Sequence, residues 1–325
     1  MNVIELNKIS REFKIAERDS HFLRYLFHRK YKIKKAVHEI SFQIKEGELV
    51  GFIGPNGAGK STTIKMMSGI LVPSAGEVRV LGMVPYEERK KVARQIGVVF
   101  GQRSQLWWDL PVADTFALLK KIYKIDDRTY ENNLKLYGEL LGVHEFLNQP
   151  VRQLSLGQRM RADLCAALLH DPKILFLDEP TIGLDVVVKK QIREMIKRIN
   201  ESRNVTVILT THDMKDVEEI CDRIILINEG RIVMDGPVKE IKKEFRGISE
   251  ITVLTEKPAE NLEIPGTKEI ALSGCMINVK YDARDISSAD ILTAIVKENK
   301  VVNIEIKEPQ IDDIIRNLYS MTEKE

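Results

Sequence analysis

Gly54-Pro55-Asn56-Gly57-Ala58-Gly59-Lys60-Ser61-Thr62 carries the strongest chemical signal in the chain. It fits the pattern G-x-x-x-x-G-K-[ST]. Glycines let backbone N–H groups turn inward around a phosphate chain, and a helix N-terminus beyond them adds partial positive charge. Lys60 can then reach β- and γ-phosphates, and the Ser61 hydroxyl can bind Mg²⁺. A second cluster is Ile174-Leu175-Phe176-Leu177-Asp178-Glu179-Pro180, an apolar run ending in two carboxylates. Asp178 is suited to holding Mg²⁺, directly or through water, and Glu179 to orienting the attacking water and taking its proton. The bland alternative for this pair is a solvated acidic turn before a proline. A third cluster is Leu154-Ser155-Leu156-Gly157-Gln158-Arg159. Ser155-x-x-Gln158 fits a capping box that only starts a helix. A capped helix start is also an anion site, and Gly157 permits close backbone approach.

Such residues must be carried by particular elements. Leu49–Ile53 reads as a buried strand leading into the glycine loop, and Lys60 to about Met67 as the helix leading out. Beyond residue 156, helices over about 157–169, 186–201 and 214–220 alternate with strands at Lys173–Leu177, Val205–Leu209 and Ile224–Ile227. That alternation predicts a parallel sheet covered by helices, with ligands bound off the carboxyl ends of its strands. Asp178 and the loop around Lys60 should therefore meet. Val3–Leu6, Ile40–Ile44 and Gly76–Leu81 read as short strands of an antiparallel piece, Ile96–Phe100 as another buried strand, and residues 112–147 as helical.

The 325 residues suit one large domain plus a small one. An apolar content of 43% and a charged content of 30% describe an ordinary globular protein. No run approaches the ~20 apolar residues that span a bilayer. Met1–Ser10 lacks a signal-peptide pattern, so a cytoplasmic location is expected. Cys165, Cys221 and Cys275 form no C-x-x-C pair, and the six histidines show no metal-ligand spacing. From Ile248 onward there are 9 Lys/Arg against 15 Asp/Glu, while the whole chain carries +2. The predicted boundary lies near 242, with a small α+β domain over 243–325. Residues 14–35 read as an insertion mixing bases and aromatics, either a solvated loop or a contact for anionic headgroups or a membrane protein.

In order and spacing, these motifs resemble those of the ATP-binding subunits of ABC transporters. The family signature reads L-S-G-G-Q just upstream of the second acidic strand, and Ser155 precedes Asp178 by the 23 residues this requires. Leu156 departs from it, standing where the first glycine usually is. The resemblance covers residues 1–240. It implies a P-loop NTPase fold of the α/β class: a mainly parallel sheet, an antiparallel β-subdomain, and a helical signature subdomain over about 102–165. By the same resemblance, Gln102 is the Q-loop glutamine that touches Mg²⁺ and the attacking water. Gly183-Leu184-Asp185 resembles the D-loop that crosses a dimer interface. His212, in Thr210-Thr211-His212-Asp213, matches the switch histidine that contacts the γ-phosphate. Phe13 is placed to stack on adenine, with Tyr25 and Tyr31 as rivals.

The resemblance also implies a mechanism. Two ATP-binding subunits face each other head to tail, so Ser155, Leu156, Gly157 and Gln158 act on the partner's ATP. A complete site then needs a second copy or a paralogue. The expected activity is ATP hydrolysis with ATP and Mg²⁺ as cofactors, at the cytoplasmic face of the membrane. Separate integral-membrane subunits are the expected partners and no nucleic acid is expected. Gly101–Pro111 and the Leu-Ser-Leu-Gly-Gln-Arg signature look most like an exporter subgroup. Trp107 and Trp108 either meet a membrane subunit's helix or are buried in the helical subdomain. The competing class is a soluble ABC-type ATPase, whose translation-associated members usually carry two modules and whose chromosome-structuring members carry a long coiled coil. Here there is one module, and Lys60 and Asp178 are 118 residues apart.

Overall fold

The computed structural model describes residues 1–16, 31–101, 103–244, 248–259 and 262–307. Its chain forms two units, Met1–Gly236 and Pro237–Glu325. In the first, a six-stranded sheet runs in the order β5-β6-β7-β3-β8-β9. Its members are β3 (Leu49–Ile53), β5 (Ile96–Phe100), β6 (Ile174–Asp178), β7 (Thr206–Thr210), β8 (Arg223–Asn228) and β9 (Arg231–Pro237). The pairs β5–β6, β6–β7, β7–β3 and β3–β8 are all parallel. Ile174–Leu177 are fully buried, so the first four positions of β6 are all apolar because both of its faces are covered, and only Asp178 at its carboxyl end is charged.

A second sheet is antiparallel, β2-β1-β4, built from β1 (Asn2–Ala16), β2 (Tyr31–Lys45) and β4 (Ala75–Val80). Its buried Ile4, Ile9, Ile40 and Ile44 join Phe52, Ile64, Met66 and Met67 in one core cluster. Each such side chain contributes roughly 1.5–3 kcal/mol by leaving water. β1 and β2 are much longer than the short strands predicted from sequence. The reason is irregular pairing: register shifts fall between Leu6 and Ile9 and between Ile9 and Arg11, and Lys8 and Glu39 adopt left-handed φ. Each shift breaks the period of two by which strands are read. Lys14–Ala16 and Tyr31–Lys35, assigned to the insertion, continue this ribbon as paired strand. Its remainder, including Tyr25, lies outside the described residues.

Helices Val112–Tyr123, Asp127–Leu140 and Leu156–Leu168 form the helical part between β5 and β6. The second unit holds an antiparallel four-stranded sheet, β11-β12-β10-β13, from β10 (Ile248–Thr255), β11 (Thr267–Ser273), β12 (Met276–Asp282) and β13 (Val301–Lys307). Helix Ser288–Glu298 contributes Ile291 and Ile295 to a core with Ile251, Val253, Ile277, Val279 and Tyr281. No described helix is long and apolar enough to cross a membrane.

Candidate active site

Parallel pairing sets Phe100 beside Asp178 and Asp178 beside Thr210, so the ends of β5, β6 and β7 lie level. The glycine loop leaves β3 at Gly54 and enters helix Lys60–Met67. Close packing explains two of its glycines. A Cβ on Gly54 would lie 2.2 Å from the Ile227 carbonyl oxygen, and one on Gly59, at φ +110°, 2.6 Å from that of Ala36. Lys60 is buried, and its ammonium donates to the carbonyls of Gly54 at 2.6 Å and Pro55 at 3.1 Å. Burial holds its pKa below the usual lysine range, an effect the charges of Glu179 and Asp178 partly offset.

The Ser61 hydroxyl lies 3.2 Å from Asp178 Oδ2 and 3.4 Å from Oδ1. Thr210 Oγ1 donates to Asp178 Oδ1 at 2.5 Å and fixes the carboxylate. This donor set is hydroxyl and carboxylate oxygen, which suits Mg²⁺ completed by substrate phosphates and water. Among the described residues, no group of three or more His, Cys, Asp or Glu gathers to hold a metal without such help.

Glu179 has φ +55°, a left-handed conformation that is costly for a residue with a side chain. Its N–H donates to the Thr210 carbonyl at 3.0 Å. Gly101 packs so closely that an added Cβ would lie 2.1 Å from the Glu179 carbonyl oxygen. The side chain is thereby directed to His212, whose Nδ1 is 3.3 Å from Glu179 Oε1. His212 is exposed at the other end. Asn56, Ser61, Gly101, Asp178, Glu179 and His212 line one cleft of about 700 Å³. Gln102 is outside the described residues.

A neighbouring cleft of about 540 Å³ joins Phe13, Lys34 and Ala36 to Gly57, Gly59, Lys60 and Thr62. Phe13 is half-buried, with the Arg11 guanidinium 4.8 Å from its ring centre. Of the rival aromatics, Tyr31 lies further along the ribbon, opposite Ala16, and is exposed.

Ser155 caps helix Leu156–Leu168. Its Oγ accepts from Gln158 N at 3.2 Å, and its own N–H donates to Gln158 Oε1 at 2.9 Å. The capping box and an exposed helix start are thus both present. Gly157 lies under Val188, where a Cβ would come within 2.8 Å of Cγ1. Leu156 reaches toward Gly183, Cδ2 lying 3.2 Å from where a Cβ would be. Asp185 caps helix Val186–Arg203, accepting from Val187 N at 3.0 Å and Val188 N at 2.9 Å. The signature residues stand at a different helix from the phosphate loop. Burial of the two tryptophans does not hold: Trp107 is 41% and Trp108 53% exposed.

Sequence reasoning quoted Thr210 without a role and missed Arg11, Thr181, Asp163 and Asp216. Asp163 is buried on the signature helix and accepts from Ser104 Oγ and Gln105 N, both at 3.0 Å. For Asp163 and Asp216 the available signal was a charged residue inside otherwise apolar helical spacing; Arg11 and Thr181 carried none.

The family model described as ABC transporter matches residues 37–182. The linearmycin resistance ATP-binding protein LnrL of Bacillus subtilis is 30% identical over 300 residues, covering 90% of this chain and 96% of that protein. The Nod factor export ATP-binding protein I of Neorhizobium galegae is 35% identical, covering 71% of this chain and 66% of that protein. A dimeric ATP-binding cassette solved in a post-hydrolysis state with ADP and Pi superposes with a TM-score of 0.60 at 26% identity, covering 72% of this chain and 98% of that one. With the phosphate loop, the paired carboxylates and the capped signature helix in this arrangement, the chain belongs to the ATP-binding proteins of the ABC transporter family.

Proposed function

We propose that this chain hydrolyses ATP to power an exporter whose membrane-spanning subunits are separate polypeptides. The observation that carries the reading is the meeting of Ser61, Asp178, Glu179 and His212 in one cleft beside the phosphate loop. Loop N–H groups and Lys60 bind the triphosphate, Lys60 exchanging the carbonyls of Gly54 and Pro55 for phosphate oxygens. Mg²⁺, when bound, neutralises charge on the transferring phosphoryl group, and Ser61, Asp178 and Gln102 would hold it. Glu179 orients the attacking water and accepts its proton. His212 steadies Glu179 and reaches the γ-phosphate. Phe13 offers a ring face to adenine, its orientation set by Arg11.

Each chain has one phosphate loop and one signature, so Ser155, Gly157 and Gln158 act on the ATP of a second copy or paralogue. Asp185 lies at the same interface. The dimeric relative supports this pairing. Hydrolysis removes the charge that draws both subunits together, and the dimer opens. Export is supported by the names of relatives tied to linearmycin resistance and Nod factor export. Exposed Trp107 and Trp108 suit contact with a membrane subunit's helix at the cytoplasmic face.

The test uses Glu179→Gln protein expressed in its native host. Membranes isolated with ATP and Mg²⁺ should retain it with a multi-span protein in near-equal amount, identified by mass spectrometry. Recovery only in the soluble fraction would overturn the transport reading.

A further inference from the structure

Behind the cleft lies a cluster of charged and hydroxyl groups that the reaction does not consume. Asp216 is fully buried, and Arg193, Thr181 and Thr211 are 2–3% exposed. Arg193 Nη1 donates to Asp216 Oδ1 at 2.7 Å, and its Nε to Glu219 Oε2 at 2.6 Å. The other oxygen, Asp216 Oδ2, accepts from Thr181 Oγ1 and, at 3.4 Å, from Thr211 Oγ1. One turn earlier on the Arg193 helix, Lys189 Nζ donates to Asp213 Oδ2 at 2.6 Å. Asp213 N in turn donates to Thr211 Oγ1 at 3.0 Å.

The chain positions give these bonds their meaning. Thr181 stands between Glu179 and Asp185, Thr211 directly precedes His212, and Arg193 belongs to the helix that Asp185 caps. One carboxylate therefore touches three segments: the run from Glu179 to Asp185, the His212 loop and the Asp185 helix. Stability alone is a weak account of such a cluster, because a buried ion pair often contributes no more than apolar residues of similar volume. A fully satisfied buried network does specify geometry. The two threonine hydroxyls satisfy the carboxylate oxygen that Arg193 does not reach, and in doing so they tie the Arg193–Asp216 pair to the two loops that bear catalytic side chains.

We propose that Asp216, acting through Thr181 and Thr211, is a positioning residue that couples the partner-facing Asp185 segment to Glu179 and His212. Engagement of Asp185 by a second subunit then sets the distance between the catalytic carboxylate and the switch histidine. The inference rests on the ATPase reading above. A misplacement of ~1 Å can lower a rate by up to about a hundredfold, so a small slackening should be measurable.

The experiment is steady-state ATP hydrolysis by the full chain, with ATP binding and thermal unfolding measured alongside, for Thr181→Val, Thr211→Val and Thr181→Ser. Each valine variant is expected to lower kcat about tenfold and to leave KM for ATP within about twofold. Thr181→Ser, which keeps the hydroxyl, should restore kcat. If Thr181→Val unfolds below the assay temperature, Thr181→Ala carries the same expectation without apolar bulk beside the carboxylate. Unchanged kcat in the valine variants, whatever their melting temperature, overturns the proposal, as does a loss that serine does not restore. An unaltered chain that binds no ATP overturns the ATPase reading together with the inference. An active unaltered chain with fully active valine variants overturns the inference alone.

Discussion

Glu179 combines a strained backbone with a side chain aimed at His212. That cost is tolerated where the carboxylate must sit at one point in the cleft. Glu179→Gln should keep ATP binding and lower kcat at least about a hundredfold, the usual scale for losing a positioned base. Equal hydrolysis by both proteins would remove Glu179 from that role. Phe13→Ala should raise the ATP dissociation constant roughly tenfold, stacking on a base being worth about 1–3 kcal/mol. An unchanged constant would return the adenine platform to another residue. Lys60, Ser61, Asp178 and Glu179 were legible in the sequence because each follows an apolar strand within a contiguous motif, and His212 only through the family resemblance. Thr210 and Arg11 were not. The first acts through register between β6 and β7, and the second through the side of β1 it shares with Phe13.

At the level of elements, the signature helix start serves its own fold and, on the proposed reading, a partner's nucleotide. Ser155→Asp separates the two roles. Aspartate caps helices as well as serine does, but it sets a negative charge toward a phosphate. Melting temperature should stay close to that of the unaltered chain while ATP-driven dimerisation is lost. A dimer that forms normally would confine Ser155 to capping. On the same helix, burial pushes the Asp163 carboxyl up to about 6 from an ordinary 3.8, against the pull of its hydrogen bonds with Ser104 and Gln105 and the charge of Arg159. Between those values the folded chain binds more protons than the unfolded chain, so this group's contribution to stability falls as pH rises toward 6. Asp163→Asn should therefore raise the melting temperature at pH 7.5 more than at pH 5. The reverse order would contradict the burial argument. The helices around the site were readable from their 3.6-residue periodicity. β1 and β2 were not read at full length, because bulges at Lys8 and Glu39 interrupt the alternation that marks a strand.

On the scale of the whole molecule, the acidic surplus after Ile248 accompanies a unit with its own small core. That unit gathers no metal-binding cluster among its described residues. We propose that it steadies or regulates the dimer. Removing the residues after about 245 should weaken ATP-driven dimerisation, and unchanged ATPase and dimerisation would dismiss this role. Residues 17–30 of the basic and aromatic insertion fall outside the described residues, and its charge pattern alone did not reveal a partner. On the proposed reading, ATP-driven closure joins two subunits around nucleotides that each subunit holds only by half. Its most direct measurement is the molar mass of Glu179→Gln protein by light scattering after gel filtration, with and without saturating ATP and Mg²⁺. A dimer with ATP and a monomer without it is the expected result. A monomer in both conditions would contradict the claim.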